Sequence, residues 1–392
     1  MELPNNSGGF VMKKLLSLIL SAVLSIFGVG LGDCPTTPDS EKVASAEQLA
    51  LFETIVESET AWLASLQLEN GAIPMTYNAN GTVKMNPYFA DFAALALLDR
   101  ADSYAENVKK YMDWHFAHLN TASSDYNGVD GTIYDYEITL ADGKITAEKS
   151  LGSYDSTDSY AATFLMVLNK YYDKTGDSAY ILNNVDNIQR VINAMLSTLH
   201  NGLTMAKPDY EIKYLMDNCE VYAGAKACGE LFTKVSCDKS KAIETQCAEA
   251  VDDIYNAVES KLWKSLSGNY KVAVKKTLNL DAIKFSWDEY YPSATAQLFP
   301  IAFGLICPHS DRALKLYNKF CEKYDWENFD YPDAFYWGSN VYTAAVVNDI
   351  DRVATYMENY KGVAETHAYP LYNADAGKVS MAAQLMLDRA AA

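Results

Sequence analysis

Residues 213–232 read KYLMDNCEVYAGAKACGELF, and residues 240–263 read SKAIETQCAEAVDDIYNAVESKLW. The first stretch is apolar or small almost all the way round a helix, so such a helix must be buried on every side. The second spaces its apolar residues three and four apart and turns its charges to the opposite face, as a helix with one side in water does. Both kinds recur along the chain. Amphipathic helices are expected over Glu41–Leu68, Ser103–Asn120, Ser178–His200, Ser240–Trp263, Ser310–Tyr324 and Asp349–Lys361. Fully buried helices are expected over Tyr88–Leu98, Ser159–Tyr172, Lys213–Phe232, Tyr290–Leu305, Trp337–Val347 and Val379–Leu387. They alternate strictly, six of each, and almost no stretch shows the period of a strand. Six outer helices alternating with six inner ones describe an all-α fold, an (α/α)6 toroid. Each pair is an αα-hairpin, and the inner six form the wall of the ring.

Connection lengths add a direction. Inner-to-outer connections are mostly short, as at 99–102, 173–177 and 307–309, whereas outer-to-inner connections are long: 69–87, 121–158, 202–212, 264–289, 325–336 and 362–378. The long loops must share one end of the ring. Long loops on a rigid scaffold carry function, and the inner-helix N-termini open at the same end. The functional face is therefore expected there.

Composition narrows the chemistry. The 392 residues are 49% hydrophobic and 12% aromatic, with 28 tyrosines, and 32 Lys and Arg against 51 Asp and Glu leave a net charge of −19. No nucleic-acid partner is expected, because neutralising phosphates needs clustered Lys and Arg. The apolar content is too high for a disordered acidic chain. Nothing suggests oligomerisation, and a monomer is expected.

The N-terminus carries Met12-Lys13-Lys14 before an apolar run from Leu15 to Leu31, the pattern of a secretory signal. Residues 1–33 are read as a signal peptide with an upstream extension, 34–41 as a short linker, and 42–392 as a single toroid domain. A secreted or cell-surface bacterial protein is expected, with an uncleaved anchor as the alternative. Leu31-Gly32-Asp33-Cys34 is similar to a bacterial lipoprotein box, although Asp33 breaks the small-residue rule; a lipid anchor at Cys34 is the less favoured outcome. Of the other six cysteines, most read as small buried apolar residues, and no spacing suggests zinc. No cofactor and no metal site is expected. Asp125, Asp130 and Asp135 lack the spacing of a calcium loop and read as a solvated loop.

The long loops and the first inner turns hold carboxylates, aromatics and amides. Asp91 lies in the start of the first inner helix, Asp155 and Asp158 at the second, Asp217 and Glu220 in the third, Trp287, Asp288 and Tyr291 at the fourth, and Trp337 at the fifth. Asp155, Asp158 and Asp288 could equally cap helix N-termini. Glu220 is harder to explain so, because it sits inside an apolar helix three residues from Asp217. Residues i and i+3 share a face, and a carboxylate buried on an inner wall is costly unless it is paired, for example with Lys226, or working. The catalytic set is expected to be Asp158, Asp217 and Glu220, with Glu220 as the more buried acid. Asp91, Asp155, Trp287, Asp288, Tyr291 and Trp337 are expected to contact substrate. The aromatics have core packing as their other reading. An acidic, aromatic mouth suits a carbohydrate, whose C–H faces stack on rings. No Ser nucleophile signature, phosphate loop or metal cluster supports another class.

Trp62–Ile73 (WLASLQLENGAI) and Asp155–Leu165 (DSTDSYAATFL) carry a resemblance. The chain resembles the six-hairpin glycosidase superfamily, such as glycoside hydrolase families eight, fifteen and one hundred twenty-six, over roughly residues 42–390. The second stretch is similar to the Asp-rich helix start of family eight, but its Asp spacing is three rather than two, and that family's Ser-Glu-Gly acid motif has no match. The resemblance implies a secreted glycoside hydrolase working with a carboxylate acid/base pair, by inversion as in families eight and fifteen. The alternatives are a polysaccharide lyase on a related toroid, which the acidic mouth disfavours for uronates, and a non-catalytic glycan- or partner-binding surface protein.

Overall fold

The computed structural model describes residue 34 and residues 42–392. The expected signal peptide and almost all of the linker lie outside the described residues. The helices, in chain order, are α1 Ala46–Ser65, α2 Pro87–Leu97, α3 Ala101–Ala117, α4 Asp158–Thr175, α5 Ser178–Asn183, α6 Val185–Leu196, α7 Leu215–Lys234, α8 Ser240–Ala257, α9 Phe299–Ala302, α10 Asp311–Lys323, α11 Gly338–Val346, α12 Ile350–Thr366 and α13 Asn373–Ala391. Each of the twelve expected helices has its counterpart, with α5 and α6 together forming one outer helix.

The inner helices α2, α4, α7, α9, α11 and α13 contact one another in that order, and α13 returns to pack on α2. That closure makes the all-α (α/α)6 toroid. Small residues let the ring close tightly. A Cβ on Gly377 of α13 would stand 2.5 Å from the Phe92 carbonyl oxygen of α2, and one on Gly224 of α7 would stand 2.5 Å from that of Ala162 in α4. Only glycine permits backbones so near, which accounts for the small-residue content of these helices.

Two expectations need correction. The long loops are not strand-free: β1 Gly81–Met85, β2 Tyr136–Ala141 and β3 Lys144–Ser150 form one antiparallel sheet, and β4 Ile212–Tyr214 joins a second with Ala273–Lys275 and Asp281–Ile283. All of them lie in outer-to-inner connections, where they stiffen the mouth. The fourth inner helix is also not continuous over 290–305. A π-turn at Tyr290–Ala294 precedes the single turn of α9, because Pro292 and Pro300 each lack an N–H for the helical ladder.

Cys34 is disulfide-bonded to Cys307, with Cα atoms 5.5 Å apart, while Cys219, Cys228 and Cys247 are free and buried. This pairing was not legible in the spacing. It also consumes the Cys34 thiol, so a thioether lipid anchor at Cys34 and this bond exclude each other.

Candidate active site

A cavity of about 510 Å³ opens at the end of the ring that carries the long loops. Its walls come from first turns of inner helices: Tyr88 of α2, Ser159 and Tyr160 of α4, Asp217 and Glu220 of α7, Ser339 of α11, and Asp375 and Lys378 of α13. The loops add Asp135, Asp155, Tyr291, Phe335, Trp337 and Tyr372. The carboxylates of the lining come from the second, third and sixth hairpins, and its rings from every hairpin but the third.

Glu220 is the most constrained carboxylate. Its side chain is almost wholly buried, and the Tyr88 hydroxyl donates to Oε1 at 2.5 Å. Burial pushes its pKa up to about 7 against the pull of that hydrogen bond and of the Lys378 ammonium. Asp217 is raised well above the usual range by burial and by the charges of Asp158, Glu220 and Asp155. Burial first, and then three acidic neighbours, favour its protonated form. Asp135 accepts from Asn86 Nδ2 and from the Tyr160 hydroxyl, each at 3.1 Å, and burial lifts it to about 6. Asp155 sits exposed on the rim, where its negative charge reaches both Asp135 and Asp217.

The structure brings together only some of the expected residues. Asp155, Asp217, Glu220, Tyr291 and Trp337 line the cavity. Asp158 does not: it is fully buried behind the wall, its Oδ1 accepting from the Ser156 hydroxyl at 2.7 Å and the Ser159 N–H at 2.9 Å. Its charge bears on the cavity from behind, on both Asp217 and Glu220. Asp91 also lies behind it, accepting from the Tyr111 hydroxyl at 2.7 Å and the Thr163 hydroxyl at 2.6 Å. That geometry fastens α2 to α3 and α4. Asp288 points into solvent and pairs with Lys323. Trp287 is off the lining and packs edge-on against Phe285, ring centroids 5.3 Å apart. Lys226 is not the partner of Glu220; the cation that acts on Glu220 is Lys378.

Two members were missed. The spacing of Asp125, Asp130 and Asp135 suggests a solvated loop, but β2 begins directly after Asp135, and its side chain lines the cavity. Lys378 fell outside the sixth helix as delimited from sequence, since α13 starts at Asn373 rather than at Val379. With the true start, Asp375 and Lys378 stand i, i+3 inside an apolar helix, the same signal that singled out Asp217 and Glu220. Lys378 lies over the Phe92 ring at 4.0 Å, and burial lowers its pKa while Asp375 and Glu220 oppose that shift.

The raised carboxyls carry a stability prediction. A carboxyl with a raised folded-state pKa binds more protons when folded, so its contribution is complete below the unfolded value near 4.5 and is lost as pH rises through the folded value. Glu220 at about 7 and Asp135 at about 6 act together. The melting temperature is expected to fall between pH 5 and pH 8. Buried His115 and His309 are lowered and act in the opposite sense up to about pH 6.5, so the carboxyls are read above it: a Tm that stays flat or rises from there to pH 8 in differential scanning calorimetry would mean that Glu220 is not protonated in the fold.

No protein-family model and no curated protein matches the sequence. Solved structures do. Over 88% of its length the chain matches 99% of a glycosidase point variant, with a TM-score of 0.60 and 13% identity. The chain shares the (α/α)6 toroid fold of that glycosidase. A GH63 mannosylglycerate hydrolase from Thermus thermophilus, in complex with glucose, matches with a TM-score of 0.56 and 11% identity, over 85% of this chain and 99% of that one. A beta-1,3-1,4-glucanase from a Paenibacillus species matches with a TM-score of 0.55 and 13% identity, over 88% and 94%. This toroid thus spans nearly the whole of each of these chains.

Proposed function

We propose that this chain is a glycoside hydrolase, acting on a carbohydrate at the mouth of the toroid. The observation that carries the reading is Glu220: a buried carboxyl raised to about 7, held in one orientation by Tyr88, in a cavity walled by other carboxylates and aromatic rings. A general acid works best with a pKa near the working pH. Glu220 would give its proton to the glycosidic oxygen as the bond to the anomeric carbon breaks. A water entering from the opposite face would attack that carbon and lose its proton to an ionised carboxylate, for which Asp155 on the rim is the candidate. This is the inverting arrangement, and it calls for two carboxyl groups about 6.5–9.5 Å apart. Asp217, shifted toward its neutral form by burial and by its acidic neighbours, is suited to donate a hydrogen bond to a sugar hydroxyl, as buried carboxylic acids do elsewhere. Trp337 and Tyr291, ring centroids 5.0 Å apart, offer a stacking surface.

The same reading includes export. The Cys34–Cys307 disulfide fits an oxidising compartment, as does the signal-like segment before it.

The test is reducing-sugar release by the chain from Cys34 onward, on mixed-linkage β-glucan, starch, α-mannan and polygalacturonate. Release without new ultraviolet absorbance is expected. An unsaturated, absorbing product would make the protein a lyase, and binding without release would make it a glycan-binding protein.

A further inference from the structure

The cavity is not the end of the aromatic surface. Among the described residues, six tyrosines are strongly exposed, and five of them (Tyr77, Tyr126, Tyr210, Tyr291 and Tyr369) lie in outer-to-inner connections; Tyr255 on α8 is the exception. Core packing does not require rings in water, and their concentration on one face points to a ligand groove. Three of them fall into a row. Tyr210, 45% exposed, stacks on Tyr214 with an interplanar angle of 20°, and their hydroxyls are 3.2 Å apart. Tyr214 sits at the N-cap of α7, three residues before Asp217 in the cavity wall. Tyr291 meets Trp337. From the same loop as Trp337, Phe335 stacks on Tyr372, 5.9 Å away at 29°, and Tyr372 contacts Tyr369, which is 72% exposed.

The two ends of this row come from the third and sixth outer-to-inner connections. In a closed ring of six hairpins these lie on opposite sides. Neither Tyr210 nor Tyr369 lines the cavity, so the row extends beyond it at both ends. A pocket that received only a chain end would be blocked on one side. Here stacking surface continues on both.

We propose that the substrate is a polysaccharide held on both sides of the cavity, by Tyr210 at one end and Tyr369 at the other, and cut within its length. Tyrosine suits the task, since it presents a large flat face at low conformational cost. The inference rests on the glycoside hydrolase reading, and its test is arranged so that the two can fail separately.

The polysaccharide that yields reducing sugar in the panel is digested while viscosity is followed. Internal cutting predicts a steep fall in viscosity at low release, with oligosaccharides as first products. The Tyr210→Ala/Tyr369→Ala double variant is expected to lose at least tenfold in kcat/KM on the polymer relative to kcat/KM on a trisaccharide of the same linkage. The Tyr255→Ala variant should keep the wild-type ratio. A monosaccharide as first product, or an unchanged ratio in the double variant, overturns the inference and leaves the hydrolase reading intact. If no polymer is cut, the hydrolase reading fails, and electrophoresis through gels containing each polymer decides the rest. Retardation that the double variant loses supports a two-sided grip, whereas no retardation, or equal retardation, overturns it.

Discussion

Replacing Glu220 with Gln is expected to lower kcat by about 10²–10⁴-fold, the usual contribution of a positioned general acid. The exchange preserves size and leaves an acceptor for the Tyr88 hydroxyl, so the cavity keeps its shape. It removes the proton. KM should move far less than kcat, because the lost interaction belongs to the transition state rather than to the bound ground state. In the wild type, activity should fall as pH rises past about 7, where Glu220 loses its proton. A hydrolysis rate within a few-fold of wild type in the variant would sink the assignment and pass the role to Asp217, whose pKa is also raised by burial. A second signature is independent of any substrate: the variant should lose part of the decline in Tm between pH 5 and pH 8, because one of the groups that titrates there is gone.

Much of the architecture was legible because helices with opposite burial needs look different in sequence. A helix such as Leu215–Lys234, with Val221, Ala223, Gly224, Ala225 and Cys228 around its circumference, has no face to offer water. Connection lengths then located the mouth without any contact being known. The site was legible only as far as burial was. Glu220 and Asp217 stood out because charge inside an apolar helix needs a reason. Asp91 stands out for the same cause and Asp158 for its place in an Asp-rich helix start, yet their reason is internal: each accepts hydrogen bonds from its neighbours. Sequence spacing does not tell a carboxylate that faces a cavity from one that faces its neighbours. The short strands escaped because pairs such as Ile212–Tyr214 with Ala273–Lys275 join segments some sixty residues apart, and each is too short to show a period. The bond from Cys34 to Cys307 spans 273 residues, and nothing local marks it.

The largest stability effect is expected far from the site's chemistry. Lys170 of α4 and Asp99, just after α2, form an ion pair at 2.7 Å with side chains only 3% and 2% exposed. Attraction in such a place is strong, but both charges have left water. The balance is visible in their titration: burial raises Asp99 and lowers Lys170 even though each pulls the other the opposite way. Desolvation therefore outweighs the contact. A pair of this kind contributes little when intact and a great deal when halved, since the survivor is a buried charge without a partner. Lys170→Met is accordingly expected to cost about 3–5 kcal/mol in urea unfolding at pH 7. Most of that loss should be recovered on acidification, because an orphaned Asp99 becomes tolerable once protonated. The double variant Lys170→Met/Asp99→Leu, which removes both charges, is expected to match the wild type or exceed it. If instead the double variant is as unstable as the single one, the pair is a net source of stability and the desolvation argument is wrong. The same reasoning bears on the acids at the mouth: among the described residues Glu220 and Asp217 have no such cation in salt-bridge contact, so burial shifts them toward the protonated form, and the Glu220 proton is the one the proposed chemistry uses.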